Sequence, residues 1–456
     1  MIALTTVAAS VHLASVETIL AAGVFVVLML GVFRGDRSLV PLTWVAVGIL
    51  ALAGAHLAIV PGGGGTGFGG LYIGDAFSTF LKVLILGGAG VSMVLALPYL
   101  QRSATARFEY PVLLMLSALG MCMMVSANDL LTLYVGLELQ SLAAYVLAAF
   151  HRNEAKSSEA GLKYFVLGAL ASGILLYGIS LVYGFTGTTS FAALHGLVRG
   201  AGAADLGTLI GLVFILSGLA FKISAVPFHM WTPDVYEGAP TPVAAFFAGA
   251  PKAAAMGLLL RVAVGAFGGM TFDWRQIVTF VSIASMLLGA VGAIGQTNVK
   301  RLLAYSSINN VGFALIGLAA GTREGVTGVL FYMAVYLVMT TGSFLAVLAM
   351  RGADGEPVET LASLSGLSRT RPGLAAAFAV FMFSLAGIPP LLGFWPKFAV
   401  FQAAMDAHLY VLAVVGVVAS VIGAYYYLRV IMTVYFADPA PAFAPADSRV
   451  NTALLA

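Results

Sequence analysis

The chain has 456 residues and a net charge of +3; 61% of its residues are apolar and 9% charged, and its mean hydropathy is +1.01. A soluble domain carries about 25% charged residues, so this composition excludes a water-facing surface over most of the molecule and makes lipid the solvent. The small net charge gives no reason to invoke nucleic acid, and the single cysteine, Cys122 in an apolar run, excludes an internal disulfide and any cysteine-ligated cluster.

A spanning helix needs ~20 mostly apolar residues. The first fifteen residues contain no Lys or Arg; they lack the basic start of a cleaved signal peptide, so the first helix is expected to be retained. Thirteen apolar runs then follow, near 16–33, 39–60, 76–98, 109–126, 128–150, 159–186, 204–226, 240–268, 274–295, 301–320, 324–350, 372–405 and 408–436. Between the second and third, Gly65-Thr-Gly67-Phe-Gly69-Gly70 matches the dinucleotide fingerprint in spacing. It has no preceding βα strand and no partner acid, so it reads as a flexible linker. After the last run, a polar Pro-rich stretch (438–449) leads into Val450-Asn-Thr-Ala-Leu-Leu-Ala456, predicted to be the first turns of a fourteenth helix.

Basic residues alternate between loops in a strongly uneven way. One side collects Arg34, Arg37, Arg102, Arg107, Arg152, Lys156, Lys163, Lys300, Arg301, Arg351, Arg369, Arg371 and Arg449, the other only Arg199, Arg275 and Arg323. The crowded side is expected to be cytoplasmic, with the N-terminus outside. The sequence also repeats itself: Phe191-Ala-Ala-Leu194-His-Gly196-Leu197 returns as Leu361-Ala-Ser-Leu364-Ser-Gly366-Leu367, and Leu259-Leu-Arg261-Val as Tyr427-Leu-Arg429-Val. Each copy belongs to a segment of five runs, and an odd number makes the second unit enter the membrane from the opposite side. That is the inverted repeat of many transporters. The expected organisation is therefore helices 1–3 in 1–108, a first repeat in 109–268, a second in 269–436, and a linker with the start of helix 14 in 437–456. The fold class is an all-α membrane protein of about fourteen transmembrane helices, thirteen of them complete.

Six basic residues, Lys82, Lys222, Lys252, Arg261, Lys397 and Arg429, fall inside apolar runs. A Lys or Arg at a helix centre costs ~2.5–3.5 kcal/mol on insertion scales. Lys82, Arg261 and Arg429 lie toward run ends, where snorkelling or structural pairing is the expected role. Lys222, Lys252 and Lys397 each have a proline nearby: Pro227, Pro251, and Pro389, Pro390 and Pro396. A proline within a span frees backbone carbonyls, and the partial negative charge of a broken helix end can hold an ammonium. These three lysines could be purely structural, but function is the default reading of an ionisable group in a membrane.

Glu138 is their natural counterpart. Tyr134, Glu138, Ser141 and Tyr145 are spaced by four, three and four residues, so they share one helix face. At ~7 Å and an effective dielectric of ~20, Glu138 would attract a neighbouring lysine by ~2.4 kcal/mol. Burial disfavours the ammonium and the carboxylate favours it, so moving the carboxylate or its proton would switch the lysine between holding and releasing a proton. For His229, in Pro227-Phe-His229-Met-Trp231, a relay role and a structural hydrogen bond are both open. None of the six histidines forms a metal-spaced pair, and no acidic oxygen cluster suited to Na+ lies in the spans.

The stretch from Pro227 through Asp234-Val-Tyr-Glu237-Gly-Ala-Pro240-Thr-Pro resembles the antiporter-like membrane subunits of proton-pumping NADH:quinone oxidoreductase, respiratory complex I. Its form is similar to the N-type subunit rather than to M-type or L-type subunits or to multisubunit Na+/H+ antiporters. Gly136-Leu-Glu138-Leu-Gln-Ser141, Gln296-Thr-Asn-Val-Lys300-Arg-Leu and Gly387-Ile-Pro-Pro-Leu-Leu-Gly-Phe-Trp-Pro-Lys397-Phe extend the resemblance over nearly the whole chain. It implies fourteen helices, with the seventh and twelfth broken. It implies that Glu138 and Lys222 pair, that Lys252 is a central relay and that Lys397 faces the far-side exit, with His229, Lys300 and Asp234 in support. It further implies proton translocation driven by redox chemistry elsewhere, with NADH, FMN, iron–sulfur clusters and quinone in partner subunits and no cofactor in this chain. Other implied features are M-type and K-type neighbours and a bacterial inner membrane location. The alternative reading is a subunit of a multisubunit cation/proton antiporter.

Overall fold

A computed structural model describes residues 2–59, 64–103, 106–200, 205–352, 357–441, 443, 451, 454 and 455. The chain opens with α1 (Ile2–Leu13), α2 (Ser15–Arg34) and α3 (Leu39–Ile59). A short antiparallel hairpin, β1 (Gly65–Gly67) and β2 (Tyr72–Gly74), pairs Gly65 with Gly74 and Gly67 with Tyr72. Next come α4 (Ala76–Arg102), α5 (Glu109–Val125), α6 (Leu130–Ala148), α7 (Ala155–Thr186), α8 (Phe191–Gly200) and α9 (Leu206–Lys222). Helix resumes with α10 (Trp231–Gly238), α11 (Thr241–Ala248) and α12 (Ala250–Leu260), the last running on as a π-helical turn, Arg261–Ala266. The remainder is α13 (Thr271–Ile294), α14 (Val299–Ala320), α15 (Arg323–Leu348), α16 (Leu367–Thr370), α17 (Pro372–Ala386), α18 (Phe394–Asp406) and α19 (Tyr410–Phe436).

Among the described residues, ten helices are long and apolar enough to cross a bilayer. Three shorter apolar helices, α5, α9 and α17, occupy the remaining three of the thirteen runs. The Gly-rich stretch predicted to be a flexible linker is instead the hairpin. Phe68, Gly69 and Gly70 take the positive φ its tight return needs, which the glycines adopt freely, and Ile73 N–H donates to Ser126 O, tying it to the end of α5. Four helices went unpredicted, α1, α8, α10 and α16. All four are shorter than the ~20-residue apolar run that signals a span. The predicted start of a fourteenth helix falls mostly on residues outside those described.

The chain forms two compact units. The first comprises 1–153, 161–223 and 250–274; the second comprises 154–160, 224–249 and 275–456. Each contains the same local arrangement. In the first, Leu130 N–H donates to Thr189 O and Phe191 N–H to Asn128 O, beside Asp129, the N-cap of α6. In the second, Val299 N–H donates to Glu359 O and Leu361 N–H to Thr297 O, beside Asn298, the N-cap of α14. The repeated arginines match as well: Arg261 Nε donates to Val125 O at the end of α5, and Arg429 donates to Ile294 O at the end of α13. The internal sequence repeat is thus a repeat of hydrogen bonding, with an arginine capping a helix terminus in each unit.

Candidate functional site

α6 is set against α5 by a crossing of small residues. A side chain added at Gly120 would run into the backbone of Gly136 and Gln140, and one at Gly136 would sit 2.9 Å from Met124 N. Glu138, on the polar face of α6, lies between Gly136 and Gln140 in sequence, so this close approach fixes the helix with Glu138 on the side turned away from α5.

The lysine facing this stripe comes from α9. Helical hydrogen bonding there stops at Lys222, the backbone from 223 to 230 is not α-helical, and it contains a cis Val226-Pro227 bond. Lys222 is 7% exposed. Its ammonium donates to Ser141 Oγ (2.7 Å) and Tyr145 OH (3.3 Å) and lies 5.5 Å from the centre of the Tyr145 ring. Ser141 in turn donates to Leu137 O, which leaves its lone pairs to the ammonium. Two of the four stripe residues thus hold Lys222, and Ser141 stands one turn from Glu138. Glu138 Oε1 is buried with no hydrogen-bond partner.

Lys252 lies in α12, just after the interruption at Gly249, and is 1% exposed. Lys397 lies in α18, after the second major break. α17 ends at Gly387, in the left-handed region at φ +84°, and helix resumes at Phe394. Lys397 Nζ donates to Ala386 O (2.9 Å) and Leu385 O (3.2 Å) and sits 4.4 Å from the centre of the Phe313 ring. The expected capture of an ammonium by a broken helix end is realised here. Lys222 is held instead by side chains of α6.

The supporting residues are distributed as follows. Lys300, counted with the loop residues in the sequence, is 3% exposed; it is ion-paired to Glu359 at 2.7 Å and donates to Ala239 O, just beyond α10. Asp234 is ion-paired to Arg301 at 2.7 Å, and Arg301 also reaches Glu237 at 3.1 Å. The two motifs around Asp234 and Lys300 therefore meet in the second unit. His229 is half-buried on the 223–230 stretch, its Nδ1 buried without a hydrogen bond.

The three basic residues expected to be structural are all paired. Arg261 grips Asp75 through two hydrogen bonds (2.8 and 3.0 Å), and Arg429 holds the carbonyls of Ile294 and Gln296. Lys82 does not snorkel. It is 3% exposed and ion-paired to Glu17 at 2.7 Å, and its ammonium donates to Tyr72 OH at 2.6 Å. Sequence reasoning missed Glu17, although an acid three residues into an apolar helix was a usable signal. Among the described residues, no group of three His, Cys, Asp or Glu side chains could hold a metal ion.

A helical membrane protein with interrupted helices and lysines buried at the interruptions belongs to the antiporter-like class. The family described as NADH:quinone oxidoreductase/Mrp antiporter, TM, matches residues 127–423. NADH-quinone oxidoreductase subunit N of Rhizorhabdus wittichii is 63% identical over 450 residues, which cover 98% of this chain and 93% of that protein. A chain of respiratory complex I from Thermus thermophilus superposes with a TM-score of 0.82 at 35% identity, covering 96% of this chain and 94% of that one. A chain of the Mrp complex from Dietzia sp. gives a TM-score of 0.82 at 28% identity, covering 96% and 82%. The chain belongs to the NADH:quinone oxidoreductase/Mrp antiporter family of membrane proteins, in its subunit N branch.

Proposed function

We propose that this chain is the proton-translocating N-type subunit of a bacterial NADH:quinone oxidoreductase, lying in the inner membrane with its N-terminus outside and M-type and K-type subunits as neighbours. Redox chemistry in partner subunits drives it, and the chain itself carries titratable side chains rather than cofactors. The observation that carries this reading is the Lys222 ammonium, buried against Ser141 and Tyr145 on the same α6 face as Glu138. A buried lysine releases its proton unless a negative charge stabilises it, and Glu138 supplies that charge from one turn away. Moving the carboxylate relative to Lys222 changes the proton affinity of the amine, which is the elementary step of a pump. Lys252 is the central relay, Lys397 the far-side group, and Lys300, Asp234 and His229 support them. The two-unit hydrogen-bond repeat favours two inverted five-helix repeats, 109–268 and 269–436. The antiporter alternative is weaker, because the relative at 63% identity is a subunit N.

Glu138→Gln is expected to remove ~2.4 kcal/mol of attraction, roughly two orders of magnitude in proton affinity. Pumping in sealed membrane vesicles, read with a pH-sensitive dye during NADH oxidation, should fall sharply while the complex still assembles. Glu138→Asp should retain part of the activity. The double change with Lys222→Ala should be little worse than either single one. Effects that multiplied across the two sites would rule out a working pair. Failure of the chain to comigrate with NADH dehydrogenase activity in mild detergent would favour the antiporter reading.

A further inference from the structure

The first unit contains a second buried cluster of the same chemistry, outside the Glu138–Lys222 site. Glu17 (α2) and Lys82 (α4) form an ion pair at 2.7 Å. Tyr72 (β2) donates its hydroxyl to Glu17 Oε2 at 2.9 Å and accepts from Lys82 at 2.6 Å. All three are buried, at 8%, 3% and 6% exposed. Ser126 is held beside Tyr72 by the Ile73–Ser126 backbone bond, and its Oγ is buried without a partner. The unit therefore holds two sets of Glu, Lys, Tyr and Ser: Glu138, Lys222, Tyr145 and Ser141, and Glu17, Lys82, Tyr72 and Ser126.

Lys252 lies on the helix common to both. α12 packs against α9, which bears Lys222, and against α4, which bears Lys82. Gly257 of α12 faces Leu81, the residue before Lys82; five residues separate it from Lys252, about 7.5 Å along the axis and about 140° around it. The second cluster is also near the membrane face away from the crowded basic loops. Glu17 is at the start of α2, whose other end carries Arg34, and Tyr72 is on the hairpin that precedes α4.

We propose that Glu17, Lys82 and Tyr72 form a second outward branch of the proton path, leaving Lys252 within the first unit in addition to the Lys397 exit. This rests on the proton-translocating reading above. Lys252, as ammonium, gives a proton to neutral Lys82 after Lys82 has passed its own, through the Tyr72 hydroxyl, to Glu17. Glu17 then loses that proton to outer water, and the cluster returns to one ammonium and one carboxylate.

The test uses the assembled complex in sealed vesicles and compares protons pumped per NADH oxidised. The variant is Glu17→Gln with Lys82→Met, because replacing a buried ion pair by uncharged groups of similar size often leaves folding intact. The expected result is a loss of pumped protons, and adding the double change to Glu138→Gln should be no worse than Glu138→Gln alone. An unchanged ratio in the double variant, where Glu138→Gln lowers it, would make the cluster a structural clamp and overturn this inference alone. If Glu138→Gln also left the ratio unchanged, the underlying reading would fall with it. Should the double variant not assemble, Tyr72→Phe keeps the ion pair and removes only the hydroxyl. A normal ratio there would equally overturn the path.

Discussion

At the scale of single residues, Lys397 is held by two hydrogen bonds to the freed carbonyls of α17. Lys397→Met keeps most of the side-chain length and removes the charge. Each hydrogen bond lost from a charged donor costs about 1.5–3 kcal/mol, offset in part because the methionine leaves no charge to desolvate; the complex should therefore assemble, while proton pumping should fall because the titrating group is gone. Loss of the complex from native gels would instead mark the lysine as structural. Gly387 tests the same site from the backbone side. At φ +84° a side chain is strained, and a Cβ there would lie 2.8 Å from Lys397 Cδ and 3.2 Å from Nζ. Gly387→Ala should cost about 1–2 kcal/mol in backbone strain, lower the thermal midpoint of the purified complex, and reduce pumping less than Lys397→Met does. A variant that melted and pumped like the parent would show that Gly387 does not set the position of the lysine.

At the scale of elements, the ends of the helices carry most of the polar chemistry. Asp75 caps α4 through Ser78 N–H and receives two hydrogen bonds from Arg261, which also caps α5. Burial on its own would raise the proton affinity of Asp75; the Arg261 and Ser78 hydrogen bonds outweigh it and hold the carboxyl below its ordinary range. A carboxylate whose affinity is lowered by folding stabilises the fold above its unfolded value, about 3.9, and loses that contribution as pH falls through the folded one. Asp75→Asn should therefore lower the melting temperature at pH 7, and the gap to the parent should close as the pH is taken below about 4. A gap independent of pH across that range would show that the charge is not what matters. The same logic explains why Arg261 and Arg429 recur: each satisfies helix-terminal carbonyls that lipid cannot.

At the scale of the whole molecule, two compact units contain the same pair of backbone bridges and the same arginine cap, yet different charged groups. The first holds Glu138, Lys222 and Lys252; the second holds Lys300 and Lys397. A shared frame with divergent side chains is what an internal repeat permits, because backbone hydrogen bonds fix the frame whatever the side chains between them.

By itself the sequence determined the membrane class, the thirteen apolar runs, the repeat and the buried lysines, since each follows from local hydropathy or from a charge whose cost in lipid does not depend on packing. The helix breaks beside Lys222, Lys252 and Lys397 were legible for the same reason, as prolines act on their own backbone. Tertiary structure alone decided the partners. Whether Lys397 met carbonyls, Lys222 met hydroxyls, or Lys82 reached a carboxylate 65 residues earlier in the chain depends on which helix faces pack together. The hairpin at Gly65–Gly74 and the amphipathic α8 were hidden likewise, because their order comes from contacts with distant residues, Ser126 and Gly265, rather than from any local apolar run.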